Sequence, residues 1–215
     1  MAESLRDILE AAGRGVFPVA DGGITLVPQH GERDAGVIAF TAHSVVFTDE
    51  EEGWVRETLG ALGALGCDPL AAAMNPRFLG ALGERAGRVT DTIDVLLTGA
   101  PLPGRPEVAL EEVAGPGHPR VVTAGRRRDG VRVWAADGGE LVLGRGVAGR
   151  LEVAVEVAEG VQHRGLGRRL ATAARRLAGG EPVWAQVAAG NARSLRAFQA
   201  AGYRPVGSEA LFLRP

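Results

Sequence analysis

The chain has 215 residues, 46% hydrophobic and 23% charged, enough for one large or two small domains with a proper core. A formal net charge of −2 gives no electrostatic reason to expect nucleic acid, and one cysteine, Cys67, excludes an internal disulfide framework and any cysteine-built metal site. No apolar run approaches the ~20 residues of a membrane span, and the opening Met1–Ile8 carries acids and no apolar signal core, so a soluble cytoplasmic protein without a membrane partner is expected. Leu5, Ile8, Leu9 and Ala12 recur at helical spacing and predict a short helix over residues 4–12. Ile24–Val27 and Val37–Phe47 read as strands, with His30–Gly36 as the turn between them. Thr48–Asp49 reads as a helix start, with Asp49 to Glu52 in the first turn, where the helix dipole favours negative charge. Cys67–Asp68–Pro69 makes a break and a new helix start; Cys67 itself is expected to be a small packed residue. Leu70–Met74 and Phe78–Leu82 follow as helical pieces interrupted at Asn75–Pro76. Val89–Leu97 reads as a strand, and Gly99–Pro106 as the clearest linker in the chain.

Past the linker the pattern changes to a meander. Val121–Ala124, Val131–Ala135, Leu141–Leu143 and Leu151–Val157 are the strand candidates, with Asp129–Gly130 and Asp137–Gly138 where hairpin turns belong. Arg126–Arg128 is then a solvated hairpin tip. A helical pattern over 166–178 puts Leu166, Leu170, Ala174 and Leu177 on one face and Arg168, Arg169, Arg175 and Arg176 on the other. A short strand Val183–Val187, a helix opened by Asn191, and a final hairpin of Tyr203–Val206 with Ala210–Leu213 complete the plan.

The most informative stretch is the strand Leu151–Val157 and the turn that leads into Gln162–Leu170. A strand feeding a glycine-containing turn that opens a helix makes a site for phosphate. The first helical N–H groups lack intrahelical partners, and the helix dipole places partial positive charge there. Gly165 and Gly167 remove the Cβ atoms that would keep a pyrophosphate from the backbone. Arg164, Arg168 and Arg169 add full positive charge. A Rossmann fingerprint needs a third glycine where Leu170 stands, and a P-loop needs a lysine, which this chain lacks.

What remains, Gln162-x-x-Gly165-x-Gly167, resembles the acetyl-CoA pyrophosphate loop of the GNAT superfamily of N-acetyltransferases. Asn191-Ala-Arg-Ser194-Leu-Arg-Ala-Phe198-Gln-Ala-Ala-Gly202-Tyr203 is similar to the strand–helix–strand close of the same family. The match covers about the last half of the chain. It implies an α/β fold of the mixed α+β kind: a mostly antiparallel sheet flanked by helices over residues 107–215. Residues 1–106 match no recognised motif and stand as an additional N-terminal α/β region, substrate-side or accessory. The implied activity is acetyl-CoA-dependent transfer of an acetyl group to a primary amine, on a small molecule or a peptide, by direct attack on the thioester. Gln162, His163, Arg164, Gly165, Leu166, Gly167 and Arg168 would hold the pyrophosphate. Val155, Glu156 and Val157 would pair with the pantetheine arm, with the Val157 N–H near the thioester oxygen; Asn191 would face the arm, in addition to its helix-capping role.

An alkylammonium is protonated at neutral pH and cannot attack, so a group must take its proton. Glu152 and Glu156 lie four apart on one strand face and are the candidates, against the alternative of a solvated outer face. The departing thiolate has no evident acid: Phe198 stands where many family members carry tyrosine, and Tyr203 aligns with a structural aromatic. Ser194, water, or unassisted departure are the remaining options. The competing reading is therefore a catalytically idle acyl-CoA-binding module; a longer acyl group in place of acetyl is a third. His30, His43, His118 and His163 show no metal-ligand spacing, so no metal is expected. Self-association as a homodimer is left open.

Overall fold

The computed structural model describes residues 3–68, 70, 72–113 and 117–215. Met1 and Ala2 of the opening segment, Pro69 of the expected break and Ala71 of the helical piece Leu70–Met74 lie outside the described residues. The chain forms two compact units, Met1–Val95 with Val206–Pro215, and Leu96–Pro205. These are not the segments 1–106 and 107–215 that the Pro/Gly-rich linker sets. The chain changes unit inside strands, not inside that linker.

In the first unit, α1 (Leu5–Gly13) starts at a capping box, with Ser4 accepting from the Asp7 N–H and the Asp7 carboxylate accepting from the Ser4 N–H. β1 (Ile24–Val27), β2 (Ala35–Phe40) and β3 (His43–Phe47) follow, then α2 (Glu52–Ala64) and α3 (Pro76–Ala86). The expected single strand Val37–Phe47 is an antiparallel hairpin folded at Thr41–Ala42, with Ala42 in the left-handed region at φ 54°. β1 runs parallel to β3, so His30–Gly36 is a longer connection and not a hairpin turn. The helix expected from Thr48–Asp49 begins three residues later, at Glu52. Asn75 caps α3 and Pro76 occupies its first turn, as those residue types predict. Val37, Val46, Val55, Leu59, Phe78, Leu82 and Phe212 form the core of this unit. The buried Arg88 guanidinium donates to the carbonyls of Glu32, Arg33 and Phe212 at 2.7, 2.8 and 3.2 Å, which fixes the loop before β2. β4 (Ile93–Gly99) leads into the second unit, and β10 (Arg204–Phe212) returns from it and pairs antiparallel with β2.

The second unit holds β5 (Glu111–Glu112), α4 (Pro119–Gly125), β6 (Asp129–Ala136), β7 (Gly139–Arg145) and β8 (Leu151–Val157). α5 (Leu166–Leu177), β9 (Val183–Ala188) and α6 (Ala192–Ala200) complete it. β5 to β8 are antiparallel neighbours in chain order, and β9 joins β8 in parallel. The sheet is thus mixed and mostly antiparallel, flanked by helices.

Three expectations are corrected here. Val121–Ala124 is helical: His118 accepts from the Arg120 N–H at 3.3 Å and Pro119 sits in the first turn, and these start signals outweigh the β propensity of two valines. Asp129–Gly130 is no turn; it lies in β6, where the register shifts between Asp129 and Arg132 and a bulge absorbs the glycine. The final hairpin is one strand, β10; Gly207 marks a close approach, since a Cβ there would lie 2.2 Å from the Ala39 carbonyl oxygen. Arg175 and Arg176, opposite the apolar face of α5 as expected, are both bonded. Arg175 donates to the Ala100 and Ala201 carbonyls, both at 2.6 Å, and Arg176 to the Arg105 carbonyl and Glu107, so α5 straps down the Gly99–Pro106 segment. No helix among the described residues is long and apolar enough to cross a membrane.

Candidate functional site

Glu152 and Glu156 share one face of β8, but burial falls along the strand from Leu151 towards Val157. Glu152 is buried, while the Glu156 side chain is 61% exposed. The backbone alternates. The Ala158 N–H donates to the Gly138 carbonyl at 2.9 Å, and the β7–β8 register pairs Gly139 with Val157 and Glu140 with Glu156 without interruption. In an antiparallel ladder hydrogen-bonded and non-hydrogen-bonded pairs alternate. Glu156 therefore bonds β7, while the N–H and C=O of Val155 and Val157 point to the opposite edge, on the β9 side. The β8–β9 register pairs Glu152 with Trp184, near the start of both strands. Beyond that pair, the Val155 backbone and the Val157 N–H face open space, and the Val157 carbonyl is met by the Gln162 side chain.

That space is a cavity of about 780 Å³. Val155, Glu156 and Val157 form its strand wall, and the turn contributes Val161, Gln162 and His163. The start of α5 gives Gly165, Leu166, Gly167 and Arg168, and α6 gives Asn191, Ser194 and Phe198 among others. Every residue nominated for the cofactor lines this cavity except Arg164, which is solvent-exposed beside it. Leu166 and Leu170 are buried and seat α5 against the strands beneath. The turn is built by left-handed residues at alternate positions, His163 at φ 65° and Gly165 at φ 78°. A non-glycine residue in that region is uncommon, although histidine tolerates it better than most. Gly165 is the N-cap of α5 and supplies no side-chain cap, so the first amides of the helix have no side-chain acceptor. The Gln162 amide donates to the Val157 carbonyl at 3.4 Å and its oxygen accepts from Arg193 at 3.2 Å, which ties the turn to both walls. Uncapped amides, the helix dipole, and the cations of Arg168, Arg193 and Arg196 fit a diphosphate, and the edge amides of β8 fit an extended amide-bearing arm.

Glu152 and Glu156 are not brought together. The Glu152 carboxylate accepts from Arg150 at 2.8 Å, Arg128 at 2.9 Å and the Val147 N–H at 3.2 Å, and it does not line the cavity. Burial alone would raise its pKa; the charges of Arg150 and Arg128 and these hydrogen bonds outweigh that and hold it below the usual carboxylate range. Arg128, expected at a solvated hairpin tip, is thus an internal counter-ion. Glu156 lines the cavity and pairs with Arg120 of α4, which also holds Glu140 at 2.6 Å. Sequence reasoning missed Arg120 and Glu140. Glu140 is recoverable only from the strand register, and Arg120 lies in a segment read as strand.

Phe198 is buried at the cavity wall, edge-on to Tyr203 with ring centroids 5.0 Å apart. The Tyr203 hydroxyl donates to the Ala171 carbonyl at 3.2 Å and does not line the cavity; burial pushes its phenol well above the usual range. Ser194 is the hydroxyl that lines the cavity; its N–H donates to the Asn191 side chain at 3.1 Å, which keeps Asn191 in the capping role. Among the described residues no group of three or more His, Cys, Asp and Glu side chains is placed to hold a metal ion.

No family model and no curated protein matches the chain. Among solved structures it is similar to the GCN5-related N-acetyltransferase from Kribbella flavida, at 17% identity over 86% of this chain and 90% of that one, with a TM-score of 0.44. It is also similar to an acetyltransferase of the GNAT family from Colwellia psychrerythraea, at 8% identity over 83% and 81% of the two chains, TM-score 0.43. A GCN5-related N-acetyltransferase from Sphaerobacter thermophilus matches 63% of this chain and 55% of that one at 16% identity, TM-score 0.37. These likenesses concern chain path at low identity, and no residue's role is taken from them.

Proposed function

We propose that the protein transfers an acetyl group from acetyl-CoA to a primary amine of a small molecule or a peptide. The observation that supports this reading is one cavity uniting the Gln162–Arg168 turn, the unpaired edge of β8 and the start of α6. Bound there, acetyl-CoA would supply the activated thioester. The chain's own residues divide the remaining work. The α5 amides and Arg168 bind the diphosphate; the edge groups of Val155 and Val157 align the arm, and the Val157 N–H donates to the thioester oxygen as negative charge develops on it. Glu156, at the cavity wall, takes the proton of the acceptor ammonium. The sulfur leaves without a tyrosine donor; an ordinary thiol pKa of ~8.5 makes the free thiolate a tolerable leaving group.

Two measurements test this reading: calorimetry with coenzyme A, and thiol release from acetyl-CoA over a panel of primary amines. Heat of binding with amine-dependent release supports it, and absence of binding overturns it. Replacing Glu156→Gln is expected to lower turnover about 100-fold while coenzyme A affinity stays unchanged. A wild-type pH–rate profile in that variant removes Glu156 from the mechanism.

A second reading has its own support. Phe198 at the wall and the buried Tyr203 phenol suit an idle module that binds an acyl-CoA and passes it no acceptor. Tight coenzyme A binding with no release from any amine selects that reading.

A further inference from the structure

Arg120 pairs with the carboxylate that an acceptor cation would have to reach. Its guanidinium pairs with Glu156 at the cavity wall and donates from Nε to Glu140 at 2.6 Å. Glu140 and Glu156 are cross-strand partners in the β7–β8 ladder, so their side chains leave the same face of the sheet. The helix that carries Arg120, α4, has no buried residue, and Val122 on it is half exposed. Arg120 ties this helix to both carboxylates. The Arg120 and Glu156 side chains are 33% and 61% exposed, so water competes for both and their pairing is an exchangeable one.

We infer that Arg120 is a gate on Glu156: it occupies the carboxylate when no acceptor is present, and the acceptor's ammonium displaces it onto Glu140. Glu140 is the resting place that makes the exchange inexpensive. A guanidinium moving from two carboxylates to one keeps a charge-assisted partner throughout, and the incoming ammonium finds Glu156 ionised. The gate makes Arg120 a specificity-determining residue. A neutral acceptor cannot open it, and an acceptor carrying a carboxylate beside its amine is drawn to Arg120 and not to Glu156. The inference rests on the reading of Glu156 as proton acceptor.

The test is a titration of the full chain with butylammonium chloride, following the Glu156 side-chain carboxyl carbon by NMR, with sodium chloride at equal concentration as control. The resonance is assigned by its loss in Glu156→Gln. In the wild type, butylammonium shifts this signal beyond the salt control. In Arg120→Gln the midpoint falls by about two- to fivefold, the range expected for removing one exposed ionic competitor. In Glu140→Gln, where Arg120 has a single partner left, the midpoint rises. Arg120→Lys, which keeps a charge but not a two-pronged guanidinium, lies between wild type and Arg120→Gln. Equal midpoints in wild type and Arg120→Gln overturn the gate, and so does a Glu156 signal that butylammonium does not move beyond the salt control in any variant. The titration needs no turnover, so failure of the acetyltransferase reading shows separately, as absence of coenzyme A binding or of thiol release.

Discussion

Replacing Gly167 with valine is expected to lower coenzyme A affinity about 100-fold, close to 3 kcal/mol, while the protein stays folded. A Cβ added at Gly167 would meet the Val157 Cγ2 at 3.6 Å and the Ala197 Cβ at 3.8 Å, ordinary contacts on either side of the cavity. The methyl of alanine therefore fits, and the branches of valine extend into the space between β8 and α6. Stability and binding should move in opposite directions in the alanine variant. Inside a helix alanine is favoured over glycine by about 0.5–1 kcal/mol, so Gly167→Ala raises the unfolding temperature slightly and weakens binding slightly. Gly165 is the poorer target, although it stands in the same loop. Its φ of 78° suits glycine, and a β-branched residue there would strain the backbone and confuse lost binding with lost fold. Calorimetry with coenzyme A and thermal unfolding of both Gly167 variants check the expectation. Undiminished affinity in Gly167→Val would place the ligand elsewhere and remove the cavity from the account.

The turn and helix start that line the cavity were legible in the sequence because their parts are local. Strand, turn and helix start are consecutive, so the glycines and arginines of 162–168 carry their geometry with them, and Asn191 announces the next helix by its capping chemistry. The cluster of Arg120, Glu140 and Glu156 was not legible, because it is assembled by register. Nothing in the order of residues says that Glu140 lies opposite Glu156, or that Arg120 reaches both. The fold was read well where periodicity ran uninterrupted, as in Leu151–Val157 and α5, and misread where glycine had two meanings. Gly207 and Gly130 looked like turns; one allows a close backbone approach and the other sits in a bulged strand. Two valines in a row outvoted a proline and a capping histidine at α4, although start signals set that helix. The same spacing rule that paired Glu152 with Glu156 was sound about strand faces and silent about burial.

That silence has a measurable consequence. Glu152→Gln is expected to destabilise the protein by about 3 to 5 kcal/mol, the cost of removing one member of a buried charge network. Arg150, with 2% of its side chain exposed, would keep a full charge with the neutral amide in place of its carboxylate. Its guanidinium also lies over the Trp184 ring at 5.3 Å, which offsets only part of that loss. For a chain of this size such a change lowers the unfolding temperature by roughly 6 to 20 °C. Gly146→Ala should act in the same direction from outside the network, because its Cβ would overlap the Glu152 carboxyl group. The acid dependence follows from the sign of the pKa shift. The folded Glu152 pKa is depressed below the ordinary ~4.3, so its contribution is complete above that pH and is lost as pH falls through the folded value. Glu152→Gln should therefore flatten the acid limb of the stability curve. Glu156→Gln, on the same strand but largely exposed, should leave both that limb and the unfolding temperature nearly unchanged. If instead Glu152→Gln melts like the wild type and loses turnover, the buried carboxylate is working on protons, and Glu156 is the bystander.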